Sequence, residues 1–177
     1  MISRRRVVRG LLTFAGGIAL VGGGLGAWRG FAHTPSPVAA TTRERWRALL
    51  SEESFHILFE DGTEPAGSSP LNHETRPGTY ICAACHAPLF SSEDKYDSGT
   101  GWPSFTRPLD AERLGTRRDV KLFVPRTEYH CGRCGGHQGH VFGDGPPPTG
   151  RRYCNNGLAL KFVPKDEPLP PLRDPPA

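Results

Sequence analysis

Long apolar runs are scarce in this chain of 177 residues: mean hydropathy is −0.46, and one uncharged apolar stretch, Leu11 to Ala27, stands alone. That excludes a polytopic membrane protein. Acidic residues are missing from the first 40 positions, which hold Arg4, Arg5, Arg6, Arg9 and Arg29. The remainder carries 17 basic against 18 acidic residues, so the formal charge of +4 belongs to the N-terminal segment. Nucleic-acid binding wants a cationic face on the folded domain, and the body has no surplus with which to make one. No self-similarity recurs at a solenoid period, and no thioredoxin-like βαβ pattern surrounds the Cys-x-x-Cys pairs. Repeat arrays and a thiol-disulfide oxidoreductase are therefore set aside.

Glycine and proline are abundant, at 22 and 18 residues, which favours short strands joined by turns over a helical bundle. The length suits one domain with extra segments. Residues 1–40 read as a leader. Ser3-Arg4-Arg5-Arg6-Val7-Val8-Arg9 precedes the apolar stretch, and the small residues Val38-Ala39-Ala40 fit an export signal cleaved after about Ala40. Paired arginines and a glycine-weakened apolar segment resemble a bacterial twin-arginine signal. An uncleaved N-terminal anchor is the alternative, because the run sits at the short limit for spanning a bilayer. The expected location is exported, periplasmic or extracytoplasmic, with membrane contact only through an uncleaved leader.

Residues 41–163 form the expected domain. Thr41 and Glu44 stand at capping-box spacing before Trp46, Leu49 and Leu50. A second short helix is predicted from Glu52 to Phe59, with Phe55, Leu58 and Phe59 on one face and Asp61-Gly62 ending it. Residues 61–79 are a Gly, Pro and Ser-rich loop. Short β-type runs follow at Thr79–Cys82, Val120–Pro125, Glu128–Cys131, His140–Phe142 and Leu158–Val163. The domain is thus mainly β, with short N-terminal helices. Residues 164–177, with six prolines, read as an extended proline-rich tail.

Four of the five cysteines form two Cys-x-x-Cys pairs, Cys82/Cys85 and Cys131/Cys134. Two intervening residues let one tight turn present both sulfurs to a metal, and two such turns supply four thiolates in tetrahedral geometry. One structural zinc ion is the expected cofactor, with iron as runner-up because the same ligand set serves both. The alternative is two disulfides, which an oxidising exterior would encourage. Cys154 is left over, and is either inert, an intermolecular link or a reactive thiol. Arg151 and Arg152 just before it are expected to lower its pKa through their charge.

The stretches Ser98-Gly99-Thr100-Gly101-Trp102-Pro103-Ser104-Phe105, Gly136-His137-Gln138-Gly139-His140-Val141-Phe142, Asp144-Gly145-Pro146, Pro148-Thr149-Gly150 and Arg152-Tyr153-Cys154 resemble the methionine-R-sulfoxide reductase B family. The resemblance covers about residues 42–163, in the family's motif order, with zinc knuckles where many members have them. It implies two antiparallel sheets in a partly open, barrel-like arrangement and an oxidoreductase that reduces the R epimer of methionine sulfoxide in oxidative damage repair. Such chemistry requires a thiol nucleophile, a proton donor and a methyl-shaped apolar wall. By resemblance Cys154 is the nucleophile, His140 assists protonation of the sulfoxide oxygen, and His137 lies beside it. Trp102 packs on the substrate methyl, with Phe142 as a second wall. Asn156 orders the polar network, and Arg152 tunes the nucleophile. The expected substrate is an oxidised protein or peptide, and the expected assembly is a monomer.

The chain also departs from the family pattern. Thr100 stands where many members carry a resolving cysteine, which implies a one-cysteine cycle through a sulfenic acid, reset by an external thiol such as a thioredoxin-like protein. Gly157 replaces a usual serine, Asn155 a usual aliphatic and Gln138 a usual leucine. These departures motivate the competing reading, an exported zinc-stabilised binding module of the same fold without turnover.

Overall fold

In a computed structural model of the chain, residues 42–120 and 125–176 are described. The expected leader, Thr41 of the expected capping box and residues 121–124 of the expected strand Val120–Pro125 lie outside them. Every described residue belongs to one compact unit, Pro35–Ala177. Among the described residues no helix is long and apolar enough to cross a membrane.

Helix α1 spans Glu52–Glu60. The Ser51 hydroxyl accepts from Ser54 N at 3.1 Å, while Glu52 and Glu53 place negative charge at the positive end of the helix dipole. Asp61 ends the helix in the left-handed region, φ 54°, as its short polar side chain allows. One face buries Phe55, Leu58 and Phe59. Before it, Trp46–Leu49 forms a 3₁₀ turn that lays Trp46 on Phe59, ring centroids 6.0 Å apart.

Among the described residues nine strands follow: β1 Gly78–Cys82, β2 Pro88–Ser91, β3 Lys95–Tyr96, β4 Ser104–Phe105, β5 Leu114–Asp119, β6 Arg126–Cys131, β7 His137–Phe142, β8 Arg152–Asn155 and β9 Leu160–Pro164. They make two antiparallel sheets, ordered β2-β1-β9 and β3-β4-β8-β7-β6-β5. Neither sheet closes on itself, so the barrel-like arrangement expected above is corrected to two open sheets. The edges explain why. Strand β3 is two residues long, and β5 carries exposed Arg117 and Arg118, a charged border that discourages further pairing. The chain around Val120–Pro125 also differs from expectation: the flanking segments Leu114–Asp119 and Arg126–Cys131 are the strands, and Val120 and Pro125 belong to neither.

The sheets meet through aromatic rings. Phe90 of β2 stacks on Phe105 of β4 at 4.3 Å, and Tyr80 of β1 meets Phe105 edge-on at 4.9 Å. Tyr153 of β8 joins them, 5.4 Å from Tyr129 and 6.0 Å from Phe90. Side chains alternate along a strand, so anchoring Tyr153 inward turns its neighbour Cys154 to the opposite face. The registers Tyr96↔Ser104, Ser104↔Cys154, Cys154↔His140, His140↔Glu128 and Glu128↔Arg117 then set one polar row across all six strands of the larger sheet.

Asn155 follows Cys154 in β8. It is wholly buried, and neither its amide nitrogen nor its oxygen has a partner. Desolvating an unpaired amide is costly. Asn155→Val, restoring an aliphatic side chain, is expected to raise stability by about 1 kcal/mol, read as a higher urea midpoint. An unchanged or lower midpoint counts against an orphaned amide.

Candidate active site and thiolate cluster

One irregularity arranges the histidines. Between Tyr129↔Gly139 and His130↔His137, β7 advances two residues while β6 advances one, leaving Gln138 as a bulge. His137 and His140 stand three apart in the sequence and would face opposite sides of a regular strand. The bulge brings their rings to 5.5 Å, where each meets a carboxylate. His137 Nδ1 bonds Glu128 Oε1 at 2.9 Å, and His140 Nε2 bonds Asp119 Oδ2 at 2.7 Å. Arg126 donates to the same Asp119 oxygen at 2.6 Å, and Arg117 binds Glu128 from the far side.

A pocket of ≈ 120 Å³ opens on this face, lined by Cys154, His140, Trp102, Phe142, Asn156 and Asn155, with Thr63, Arg126 and Gly139 completing it. Five of the expected site residues are thus brought together. His137 is not among the lining residues: it is 3% exposed and stands behind His140. Arg152 also stays outside the lining. Its guanidinium holds both Asp144 oxygens, at 2.9 and 2.8 Å, and lies 4.3 Å over the Phe142 ring, fixing that wall.

Burial pushes the Cys154 thiol above its ordinary range; the Arg152 charge and the Thr100 hydroxyl, which both reach the sulfur, oppose this without overcoming it. The expected lowering by arginine is therefore corrected: removal from water outweighs a guanidinium already engaged by Asp144. Burial likewise lowers His140, against the pull of Asp119. Burial pushes the Glu128 carboxyl up, but His137 and Arg117 more than offset it and leave it below the usual carboxylate range. Thr100 also begins a hydroxyl chain, Thr100 to Ser98 at 2.8 Å and Ser98 to Ser104 at 2.8 Å, which fixes the loop before Trp102.

Sequence reading missed Glu64, a buried acid in the loop before β1. Its carboxylate accepts from Gly157 N at 2.6 Å and Leu158 N at 3.0 Å. Its carbonyl accepts the Trp102 indole N–H at 3.1 Å, and its own N–H donates to Asn156 Oδ1 at 3.2 Å. One residue thereby ties the apolar wall to the segment after the nucleophile. Asn156 completes the tie by donating from Nδ2 to Gln138 O at 3.1 Å. The position of Gly157 follows: a Cβ there would overlap the Ser69 hydroxyl, which fills the space of the serine side chain usual in the family. Asp119, Arg126 and Glu128 were missed as well, since an acid or arginine in a strand signals nothing until its partner is known.

The second site is the cysteine cluster. Cys82, Cys85, Cys131 and Cys134 are all free thiols with sulfurs within 4.8 Å of one another. Cys82 to Cys134 is 3.7 Å and Cys85 to Cys131 is 3.6 Å, close to the ~3.8 Å edge of a tetrahedron with ~2.3 Å metal–sulfur bonds. The donor set fits a metal ion. Both turns are built alike: His86 N bonds Cys82 O at 3.0 Å and Gly135 N bonds Cys131 O at 2.8 Å, with φ of 61° and 73° at those two positions. Asp61, Glu128 and His137 make a second close trio, but Arg117 already bridges the two carboxylates with its own positive charge.

A half-buried thiol beside an imidazole and an indole, on a sheet stapled by a four-cysteine cluster, defines a thiol-based redox domain. The family is the SelR domain: its pattern matches residues 50–164, and the chain belongs to it. The chain is 54% identical over 125 residues to the peptide methionine sulfoxide reductase MsrB of Thiobacillus denitrificans, covering 71% of this chain and 95% of that one. It is 45% identical over 126 residues to the protein of that name from Methanosarcina barkeri, covering 71% and 89%. With the Pseudomonas aeruginosa protein it shares 49% over 123 residues, covering 70% and 93%.

Glu64→Gln keeps the shape but leaves one of two backbone N–H groups facing an amide NH₂. It is expected to lower stability by about 1–2 kcal/mol and, by loosening Trp102, to raise KM for the sulfoxide more than it lowers kcat. A loss confined to kcat would argue against this positioning role.

Proposed function

We propose that the chain is a peptide-methionine (R)-S-oxide reductase that works through Cys154. The observation that carries the reading is Cys154 paired across β7–β8 with His140, in one pocket with Trp102. A pocket of ≈ 120 Å³ takes the end of one side chain and leaves the rest of a peptide outside. Trp102 and Phe142 form apolar walls for the methyl and methylene groups beside the sulfoxide.

In the reaction the Cys154 sulfur attacks the sulfoxide sulfur while the sulfoxide oxygen takes a proton. The S–S bond formed by this attack and the substrate S–O bond both break as the oxygen passes to Cys154, so methionine leaves reduced by two electrons and Cys154, oxidised by two, is left as a sulfenic acid. Asp119 keeps one proton on His140 Nε2 and stabilises the imidazolium that forms when the Cys154 proton passes to Nδ1, from which it is delivered to the sulfoxide oxygen. Glu128 orients His137 behind it, and Asn156 and Glu64 hold the walls. Thr100, a hydroxyl within reach of Cys154, cannot form a disulfide. The cycle is therefore of the one-cysteine type: two external thiols, supplied by a thioredoxin-like donor, convert the sulfenic acid to thiol, water and a donor disulfide. The four-cysteine cluster is assigned one structural zinc ion, which with four protein ligands takes no part in the chemistry. The arginine-led, glycine-weakened apolar segment supports export and a role in repairing oxidised proteins outside the cytoplasm.

The test is reduction of each methionine sulfoxide epimer with dithiothreitol. The R epimer alone is expected to turn over, and Cys154→Ser to abolish turnover. Without reductant, substrate is expected to add about 16 Da, one oxygen, to the wild type and nothing to that variant. Turnover by Cys154→Ser, or an intramolecular disulfide in the wild type, overturns the assignment.

The protonation states give a pH profile. The reacting pair needs one proton in total, shared between Cys154, raised above its ordinary 9.0, and His140, lowered below its ordinary 6.5. Acid adds a second proton to the pair and alkali removes the one it needs. A plateau in kcat/KM from about pH 6.5 to 9 is expected, falling on both sides. A rate climbing steadily through that interval would show that the thiolate reacts without the paired proton.

A further inference from the structure

The chain beyond the matched domain folds back onto the cysteine cluster. It leaves β9 with Lys165 N bonded to Pro77 O at 2.9 Å, turns at Pro164–Glu167, and reaches the first cysteine turn at Pro171, whose carbonyl bonds His86 Nδ1 at 3.2 Å. Arg173 then binds that turn through three donors. Its backbone N–H bonds Cys85 O at 2.9 Å, its Nε bonds Ala84 O at 2.7 Å, and its Nη2 bonds Ala83 O at 2.8 Å. These are the carbonyls of the two residues between the cysteines and of the second cysteine, which the turn leaves without internal partners.

The second cysteine turn grips the same place from the other side. Arg133, between Cys131 and Cys134, donates through Nη1 to Arg173 O at 2.6 Å and through Nη2 to Asp174 Oδ1 at 2.9 Å. A single two-residue step of the tail is thus held by both halves of the cluster. The six prolines of residues 164–177 shorten the list of conformations the tail gives up when it docks. Charge points the same way. Four thiolates around a divalent ion carry a net negative charge, and Arg133, Arg173 and Lys161 all lie within electrostatic reach of the sulfurs or of their turns. Nothing in this arrangement approaches the Cys154 pocket, whose lining comes from other elements.

We propose that the C-terminal segment, through Arg173 and Asp174, is a strap that locks the two cysteine turns together and slows loss of the metal ion they hold. The proposal rests on the reading of the cluster as a metal centre. A metal leaves such a site when one turn swings away and a competing ligand takes a freed coordination position. The strap resists that swing because parting the turns requires breaking the Arg173 and Arg133 contacts together. The strap supplies no residue to the Cys154 pocket, so weakening it speeds metal loss while the lining of the active site stays the same.

The test uses the full chain loaded with zinc, its metal content measured per chain, and follows transfer of zinc to an excess of a chromogenic chelator. Arg173→Ala is expected to speed release about tenfold, the scale set by several hydrogen bonds to a charged group, with R-epimer turnover of the loaded protein unchanged. Arg173→Lys, which keeps the charge but not the fork, falls between. Arg133→Ala removes the clamp from the opposite side and is expected to match Arg173→Ala, which guards against a folding defect peculiar to one variant. Release rates for both alanine variants within twofold of the wild type overturn the strap while leaving the metal centre intact. A wild-type chain that holds no metal overturns the metal centre and the strap together.

Discussion

The architecture of the site depends on one extra residue in β7. Gln138 is the residue the ladder cannot pair, and its insertion lets His137 and His140 occupy the same face. The bulge also frees the Gln138 carbonyl to accept from both Asn156 N, at 2.8 Å, and Asn156 Nδ2. Its side chain turns inward and donates from Nε2 to the Cys82 sulfur at 3.5 Å. A regular strand could do one of these things at a time. With the bulge, a single residue connects the imidazole pair, the segment after the nucleophile and the thiolate cluster, so the positions of all three are set by the same backbone irregularity. Gly139 beside it must lack a side chain, because a Cβ there would collide with the Cys154 carbonyl and push β8 away. The nucleophile sits close to β7 because that position is bare.

Much of this was legible in the sequence where residue type and chemistry coincide. Paired cysteines at two-residue spacing announce a four-sulfur cluster, and the glycines and the histidine around them announce turns. Cys154, Trp102, His140, Phe142 and Asn156 were recoverable as a set through family resemblance, and they do share a pocket. What failed to show was anything defined by pairing. Strand β5, Leu-Gly-Thr-Arg-Arg-Asp, has no apolar alternation because it is an edge with both faces partly wet, so its chemistry resembles a loop. Open sheets rather than a barrel depend on what the edge strands do not meet, which no local pattern encodes. Glu64 was invisible for a related reason: an acid among Thr, Pro and Gly suggests solvent, and its burial becomes intelligible only when residues 156–158 arrive to supply N–H donors.

Burial and charge compete at the nucleophile, and burial prevails. Cys154 lies between Ser104 and His140 in the sheet, under the walls that must exclude water if the sulfoxide is to be polarised. The same exclusion makes a free thiolate expensive there. Arg152 could lower that cost, yet its fork is committed to Asp144 and its plane to Phe142. Its main contribution is thus to hold an apolar wall, with its charge a secondary influence on the sulfur. A thiol that keeps its proton in the resting state has a further consequence: the proton required by the leaving oxygen is already in the site, and His140 need only relay it.

The absence of a partner thiol near Cys154 changes what the rest of the pocket must tolerate. In a two-cysteine arrangement the oxidised nucleophile would be consumed at once by its neighbour, and the neighbour would carry the oxidising equivalent outward. Here Thr100 can hydrogen-bond the oxidised sulfur but cannot displace its oxygen. The sulfenic acid must therefore survive until a thiol from outside reaches the same small pocket that admitted the substrate, so one opening serves both half-reactions in turn. A shallow site is the arrangement that reconciles these demands. Deeper walls would grip methionine sulfoxide more tightly, and they would shut out the reducing thiol. The moderate enclosure by Trp102 and Phe142, braced from behind by Glu64 and Arg152, is what a nucleophile needs when it must be dry for one reactant and accessible to the next.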